Sequence, residues 1–280
     1  MSTNSSGAST ANISCYDCHH ALDGQEELEH NNFVLAREVT SLNCPACHRT
    51  EYDQFARNRH ALLAWAAVRG TAQLSDDQIA FGGRFHPGAV DRPANALAAL
   101  EGSSAIQTGC LGCHDIGTPN ADGSIGSCTE CHSRHSTSIA LAREPQTFGQ
   151  CHMGPDHSQL EIYTESKHGV LFNAQRASMN LEADPKQLTT ADMLIPTCAT
   201  CHMSGLDGLK VTHDTTERLS HWLFSEVSEQ LSDYLTGQTE VQEICRTCHA
   251  STNVERFYLE VEAVVKTTNE TVRETQVLMA

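Results

Sequence analysis

The sequence predicts a mainly α-helical protein made of short helices and loops, with a long helix at its C-terminus. Three observations lead to this prediction. Apolar residues make up only 39% of the 280 residues and aromatic residues only 5%, which is little material for a conventional core of this size. Cysteines recur in closely spaced pairs along the chain. Apolar residues near the C-terminus lie close to heptad spacing. Because the side chains include so few apolar and aromatic residues, something other than side chains has to supply part of the buried apolar mass.

The cysteine pattern is a repeat of one motif. Twelve of the 13 cysteines form Cys-x-x-Cys pairs, and the remaining one is Cys151. The six pairs are Cys15 and Cys18, Cys44 and Cys47, Cys110 and Cys113, Cys128 and Cys131, Cys198 and Cys201, and Cys245 and Cys248. An odd number of cysteines disfavours a closed set of disulfides. Pairs at this spacing are typical of zinc sites, redox dithiols or covalent haem attachment.

The residue after each pair distinguishes these three alternatives. It is always a histidine: His19, His48, His114, His132, His202 and His249. With 16 histidines in 280 residues, six coincidences have a chance on the order of 10⁻⁷ to 10⁻⁸, and Cys-x-x-Cys-His is the signature of c-type haem attachment. Zinc sites and redox dithiols have no need for a histidine at this position. The sequence therefore predicts covalently bound haem c.

The motif spacing suits this chemistry. Two thiols three positions apart lie on one side of a helical turn and can form thioethers to the two vinyl groups of one porphyrin. The adjacent imidazole is then the proximal iron ligand. Because the porphyrins would supply the missing apolar mass, the sequence predicts a multihaem cytochrome c fold with little sheet, in which short helices and loops wrap around covalently bound haems.

The segment "FGQCH", residues 148–152, is a variant of the same motif. Phe148 stands where the first cysteine should be, whereas Cys151 and His152 keep the second thiol and the proximal imidazole. We predict a seventh haem held by a single thioether at Cys151, with Phe148 packing against the porphyrin edge. The alternative is a decayed site without a cofactor.

Nine histidines remain after seven proximal ligands are assigned. A low-spin electron-transfer haem usually takes a second axial ligand, and imidazole is a common one. A lone histidine is otherwise more often a surface or core residue. The sequence favours as distal ligands His30, His60, His135, His168 and His213. His20 and His86 are weaker candidates, since His20 directly follows a proximal ligand and would have to serve a neighbouring haem.

Several of these motifs together resemble the octahaem hydroxylamine oxidoreductase family. The similarity is most specific in "CTECHSRHSTSIALAREP…FGQCHMGPDHSQLEIYTESKHG" and "CATCHMSG…VTHDTTERLS", and "CPACHRTEYDQFARNRHA" and "CLGCHDIG" match the earlier part. It covers roughly residues 15–260. The resemblance implies that the haem on Cys110, Cys113 and His114 is the catalytic one. It also implies that Asp156 and His157, the pair in "GPDH", lie over the open face of that haem and move protons. The alternative role of His157 is ligation of another haem.

Three features depart from the family pattern. The family carries eight haem motifs and this chain has seven, the missing one being the N-terminal member. In this chain the motif that corresponds to the family's sixth haem is the degenerate "FGQCH". Oxidising members also crosslink their catalytic haem to a tyrosine of a neighbouring subunit, well beyond the last motif. Tyr258 is the only tyrosine after His249, and it lies too close to that motif to match. The direction of the reaction therefore stays open between hydroxylamine oxidation and the reduction of nitrite or hydroxylamine.

Motif spacing and composition divide the chain into four parts. Residues 1–14 are a flexible lead, residues 15–104 an N-terminal dihaem region, residues 105–222 a catalytic multihaem core, and residues 223–280 hold the last motif and C-terminal helices. Two stretches have apolar residues at helical spacing. The first runs from Leu219 to Leu235. The second is Val254, Tyr258, Val261, Val265, Val272 and Met279. This second helix packs either with its copies in a homotrimer, as the resemblance implies, or on its own subunit. It ends without a cap signal, so we expect a chain shorter than the family's full form.

Charge and hydropathy limit the partners. The net charge of −17 argues against nucleic acid and against an anionic membrane surface. No stretch approaches the roughly 20 apolar residues of a membrane span. The expected partners are a small nitrogen-compound substrate and a redox carrier, either a cytochrome or a quinone-linked protein. Since haem c is normally attached after export, we expect a periplasmic or otherwise extracytoplasmic location. The alternative to an enzyme is an electron-transfer cytochrome in which every iron has six ligands.

The motif count generates a mass prediction. Mass spectrometry of the denatured holoprotein should show seven covalently attached haems, because one thioether at Cys151 is enough to retain the seventh. A mass corresponding to six haems would mean that the Phe148 site is empty or holds its haem without a covalent bond.

Overall fold

A computed structural model describes residues 13–155, 158–222 and 227–279. The predicted flexible lead lies outside the described residues except for Ile13 and Ser14. Helices dominate the described part, and two short hairpins are the only sheets in it. This confirms the predicted mainly α-helical class.

The described residues of the first half form one hairpin and seven helices. In order they are α1 (Cys15–His19), β1 (Glu27–His30), β2 (Phe33–Ala36), α2 (Pro45–Arg57), α3 (Leu62–Arg69), α4 (Asp76–Gly83), α5 (Ala96–Glu101), α6 (Ser103–Ala105) and α7 (Leu111–His114). Strands β1 and β2 are antiparallel, with Glu27 opposite Ala36 and His30 opposite Phe33. Asn31 and Asn32 form the two-residue turn at φ of +50° and +65°, a conformation that asparagine tolerates well.

The second half is also mostly helical. It contains α8 (Ile139–Arg143), α9 (Pro145–Phe148), α10 (Gln159–Glu165), α11 (Lys167–Gln175), α12 (Cys198–His202), β3 (His221–Trp222), β4 (Glu229–Gln230), α13 (Tyr234–Arg246) and α14 (Ser251–Met279). Short 3₁₀ or π segments lie between the helices of both halves. They are Ser41–Asn43, Pro87–Ala89, Ile106–Cys110, Asp115–Gly117, Cys128–Glu130, Arg176–Ser178 and Thr215–Arg218.

Buried side chains form three small clusters rather than one large core. The largest packs Phe172, Leu188 and Met193 with five other buried residues. A second surrounds Leu62, and a third lies beside it around Val68; Trp65 packs against both. Small clusters are expected for a chain with little apolar side-chain mass.

The helix expected between Leu219 and Leu235 is a wrong prediction. In the described part of this stretch β3 pairs with β4, and the amide of Leu231 donates to the carbonyl oxygen of Ser220 over 3.0 Å. Gly237 on α13 packs against the carbonyl of Leu219 so closely that a Cβ there would lie 2.3 Å from the oxygen. These tertiary contacts outweigh the helical spacing of the apolar residues.

The predicted C-terminal helix is present as α14, and it packs on its own chain from its start to Asn269. Val254 is buried near its start. Further along, Asn269 accepts from the amide of Ser228 and donates to its carbonyl oxygen, at 2.9 and 2.7 Å. The His221 ring lies 3.6 Å from the Glu262 carboxylate. The opposite face exposes apolar residues such as Leu259. Along the described ranges, no helix is both long and apolar enough to cross a membrane.

Two adjacent residues of α11 provide a matched test of the largest cluster. Replacing Phe172, which is 1% exposed, with alanine should lower the free energy of unfolding by about 3–5 kcal/mol. Leu171→Ala is the control, since Leu171 is 42% exposed and a surface change should cost less than about 0.5 kcal/mol. Denaturant unfolding of the holoprotein measures both. Equal losses for the two variants would contradict the assigned core.

Candidate haem sites

Each cysteine motif lies on or next to a helical turn. Helices α1, α2, α7 and α12 and the segment Cys128–Glu130 carry five of them, and the sixth is at the end of α13. All 13 cysteines are free thiols in the structure, and none of them is fully buried. The thiols are therefore accessible for thioether bonds, as the motif spacing predicts.

The predicted attachment cysteines differ in how far the chain encloses them. Eight thiols are half-buried, whereas five are exposed: Cys15, Cys18, Cys47, Cys110 and Cys248. The role of the cysteines in haem attachment stays a prediction from the motif at all of these positions.

The exposure of Cys47 and Cys248 follows from where their turns lie. Cys47 is in the first turn of α2, and its amide donates to the carbonyl oxygen of Cys44 over 3.2 Å. Cys248 follows the end of α13, and its thiol lies 3.7 Å from the Thr247 hydroxyl. In both motifs the first cysteine, Cys44 or Cys245, is half-buried and the second is at the surface. The role of Cys47 and Cys248 in haem attachment stays a prediction from the motif.

Four motif histidines face a second histidine across a gap of constant width. The ring centroids are 6.3 Å apart for His19 and His135, 6.3 Å for His132 and His213, 5.9 Å for His152 and His60, and 5.9 Å for His249 and His168. Each pair combines one predicted proximal ligand with one predicted distal ligand. The structure thus brings four of the five favoured distal candidates to a motif histidine.

This gap has the width that an iron ion between two imidazoles requires. With a metal–nitrogen bond of about 2 Å and a ring nitrogen about 1 Å from its centroid, two imidazoles on opposite sides of one metal ion have centroids about 6 Å apart. The angles between the ring planes, from 21° to 77°, are compatible with this because each ring can rotate about the axis through the iron. The residues therefore fit bis-histidine haem.

Burial keeps two of these distal imidazoles and one further motif imidazole neutral. It lowers the pKa of His60, His202 and His213 to about 4. A neutral imidazole is the form that binds a metal ion. These rings are therefore in the coordinating form at neutral pH.

The degenerate motif keeps the backbone of the complete ones. In "FGQCH" the amides of Cys151 and His152 donate to the carbonyl of Phe148 over 3.1 and 2.8 Å. In the last complete motif the corresponding amides, of Cys248 and His249, donate to the carbonyl of Cys245 over 3.2 and 2.9 Å. The turn has the same hydrogen bonds without the first cysteine, and His152 faces His60.

Three motif histidines, His48, His114 and His202, face no second ring in this way within the described ranges. The Nδ1 atom of His114 lies 2.7 Å from the carbonyl oxygen of Ala64. A proton on Nδ1 would be donated to this oxygen, which leaves Nε2 free for a metal. Helix α3 thus fixes the orientation of the candidate catalytic ligand.

The proposed proton-transfer pair, Asp156 and His157, lies outside the described residues. The segment just before it is described, and it runs along the candidate catalytic motif. The thiol of Cys113 is 3.7 Å from the carbonyl oxygen of Gln150 and interacts with the thiol of Cys151. The chain therefore enters "GPDH" beside the motif that ends at His114.

The other candidate histidines have different surroundings. His30 is exposed on β1, where its Nε2 lies 3.1 Å from the side-chain nitrogen of Asn31, and its ligand role stays a prediction. His20 is held through Nδ1 by the carbonyl oxygens of Tyr16 and Asp17, at 3.2 and 3.1 Å. His86 lines a cavity described below.

Thiols of different motifs lie close to one another. Cys44 and Cys128 share a side-chain hydrogen bond, which lowers the pKa of Cys44 to about 7. Burial and then the nearby Cys245 raise the pKa of Cys201 to about 12. Tyr258 is hydrogen-bonded to the Cys245 thiol, and burial raises the pKa of its phenol. Haems attached at these positions would therefore be neighbours, and Tyr258 lies at the last motif of its own chain.

Sequence reasoning missed a buried residue that joins two distal-ligand segments. Asn58 is 2% exposed and follows α2. Its side-chain nitrogen donates to the carbonyl of His213 over 2.9 Å, and its oxygen accepts from the amide of His60 at 3.1 Å and the hydroxyl of Thr215 at 3.0 Å. An asparagine in a polar loop gives no sequence signal for such a long-range role.

Asn58 provides a test of these two ligand positions. Asn58→Ala removes three hydrogen bonds at once and should lower stability by roughly 1–3 kcal/mol, the cost of leaving buried partners unsatisfied. Electron paramagnetic resonance should show changed low-spin signals for two haems. Asn180→Ala is the control, because Asn180 makes an exposed bond to Asp192. Unchanged spectra in the Asn58 variant would contradict the positioning role.

A curated protein shares part of its sequence with this chain. This chain is 31% identical over 166 residues to a "Probable nitrite reductase-hydroxylamine oxidoreductase fusion protein" of Kuenenia stuttgartiensis. The aligned region covers 58% of this chain and 16% of that protein. The chain thus spans about a sixth of this curated relative.

Two solved structures share the fold. A "Hypothetical multiheme protein" has a TM-score of 0.74 at 22% identity, over 95% of this chain and 70% of that chain. A chain of the Kuenenia stuttgartiensis reducing HAO-like protein complex has a TM-score of 0.58 at 22% identity, over 90% and 48%. The family described as "Seven times multi-haem cytochrome CxxCH" matches residues 11–279, and this chain belongs to that family of multihaem c-type cytochromes.

Proposed function

We propose that this multihaem cytochrome is an oxidoreductase that acts on hydroxylamine or a related small nitrogen compound. The observation that carries the proposal is the environment of His114. Its ring is oriented by the carbonyl of Ala64, no described histidine lies opposite it, and the chain leading to Asp156 contacts Cys113. This arrangement would leave room for a substrate at the haem of His114. His48 and His202 also face no second described imidazole, and the contact of Cys113 with the segment before Asp156 is what favours His114 among the three.

The cofactor content that we propose is seven haems c. Six are attached through two thioethers and one through Cys151 alone. The bis-histidine pairs are His19 with His135, His132 with His213, His152 with His60, and His249 with His168. Haem supplies an iron site for the substrate at His114 and one-electron carriers elsewhere.

The chemistry asked of the protein is proton transfer close to this site. Oxidation of hydroxylamine to nitric oxide or nitrite releases several protons together with the electrons, and the reductive direction takes them up. We assign this transfer to the imidazole of His157, whose ordinary pKa lies near neutrality. Asp156 orients the ring and stabilises its protonated form. No tyrosine suited to the family crosslink is identified, so the reductive direction is proposed alongside the oxidative one.

A second candidate function is that of an electron-transfer wire without a substrate site. The four imidazole pairs and the neighbouring thiols of different motifs favour it, since both are what a relay of six-coordinate haems needs. Under this alternative His157 is a distal ligand. The two functions differ in whether any iron remains open.

We propose a periplasmic location and a redox partner that is a cytochrome or a quinone-linked carrier. Attachment of haem c after export supports the location. We further propose a homotrimer, in which the exposed apolar face of α14, including Leu259 and Val264, contacts its copies. The face that carries Val254 and Asn269 is already occupied by the chain itself.

A spectroscopic and kinetic experiment tests the proposed activity. The holoprotein should show one high-spin haem by electron paramagnetic resonance, and its signal should change when hydroxylamine is added. His157→Gln should lower kcat by about 10²–10⁴-fold, as expected for loss of a general acid–base group, with the haem content unchanged. The control is His221→Gln, because that ring already pairs with Glu262 and Ser220. A fully low-spin protein that does not respond to hydroxylamine would leave only the wire.

A further inference from the structure

A region that is rich in arginine borders the loop that carries His60. A cavity of about 420 Å³ lies between the end of α2, the segment after α4 and the turn before α13. Its walls include three arginines, Arg57, Arg59 and Arg84, together with His86 and two aspartates, Asp214 and Asp233. The whole chain has only 18 lysines and arginines and a net charge of −17, so three arginines at one cavity are a local concentration of positive charge.

Two of these arginines have no carboxylate partner. Arg57 lies 3.9 Å from Asp214 and 4.0 Å from Glu217. In contrast, the guanidinium groups of Arg59 and Arg84 have no carboxylate oxygen within 4 Å in the described part of the chain. Arg59 lies over the ring of Trp222 at 4.5 Å, and Arg84 lies over two phenylalanine rings.

One polar atom at this cavity, Arg59 Nε, is buried without a hydrogen-bond partner among the described residues. By contrast, the His86 ring is hydrogen-bonded to the backbone of Arg57 and Asn58, and the Thr216 side chain to the Asp214 carboxylate. More than about nine in ten buried polar groups in folded proteins have a partner. Burial, and then the charge of Arg92, lowers the pKa of Arg59 although Asp214 and Asp233 act in the opposite direction. The carboxylates of the chain therefore compensate this guanidinium only in part. A negatively charged group that fills the cavity and accepts hydrogen bonds would compensate the charge of Arg59 and give its buried Nε atom a partner.

We infer that this cavity binds an oxyanion, with Arg59 and Arg84 as its principal ligands. Arginine presents two parallel N–H donors that match the two oxygens of a carboxylate or of a small inorganic oxyanion. Thr216 and His86 line the same cavity beside these two arginines. The inference does not depend on the proposed enzymatic activity, since it concerns residues outside the motif of His114.

Two sources could supply this chemistry. One is a propionate of the haem between His60 and His152, because Arg59 is the residue directly before His60. The other is a soluble oxyanion such as nitrite. Both are recognised by the same arginine donors, and the hydrogen bonds of Asn58 to the His60 and His213 segments hold the two walls of the cavity together in either case.

The test compares three variants of the holoprotein. Arg59→Gln and Arg84→Gln remove the two unpaired charges; Arg84 is exposed, so its replacement is compatible with folding. Arg256→Gln is the matched control, since Arg256 lies on α14 with 72% of its side chain exposed. Calorimetric titration at low ionic strength uses sodium nitrite and sodium sulfate as probes. Potentiometric titration of the haems is recorded on the same samples.

Two results support the site and identify its occupant. If the anion is soluble, the unmodified protein and the control bind a probe, and each cavity variant binds it at least about tenfold more weakly, as for loss of a charged hydrogen bond. If the anion is a propionate, no probe binds, and each cavity variant lowers the midpoint potential of one haem, because removal of a positive charge favours the ferric state. No binding together with unchanged potentials in both variants would overturn the inference.

Discussion

The placement of one imidazole opposite another across the width of an iron ion is the constraint on which the rest of this structure depends. Four such pairs are present, and each joins segments distant in sequence: His60 with His152, for example, or His132 with His213. Coordination of a shared metal would hold these segments together as a core does in other proteins. Short helices, three small apolar clusters and long polar loops are sufficient once haems bridge them.

Much of the fold and of the haem chemistry could be predicted from sequence because it depends on local spacing. A thiol pair and the following histidine act within one helical turn, and the family match confirms the haem motif. Which distal histidine meets which motif could not be predicted, since that depends on long-range packing.

The stretch after Leu219 shows the limit of periodicity most clearly. Its apolar residues have helical spacing, yet the pairing of Ser220 with Leu231 and the contact with Gly237 make it a hairpin. Polar contacts position the site in a similar way. The carbonyl of Ala64 orients His114, and Asn58 links the segments of two distal ligands. Such roles have no sequence pattern, because burial gives these groups their partners and burial depends on the complete fold.

The turn in "FGQCH" separates two properties of a haem motif, the backbone shape of the turn and the presence of its first thiol. Phe148 takes the place of a cysteine with the same backbone hydrogen bonds as in a complete motif, so the shape of the turn does not require the first thiol. The backbone that presents His152 therefore keeps its shape without that cysteine. The number of complete Cys-x-x-Cys-His motifs in such a chain is then a lower bound on the number of turns shaped to receive a porphyrin. Relatives with the same architecture can differ in the first number without differing in the second.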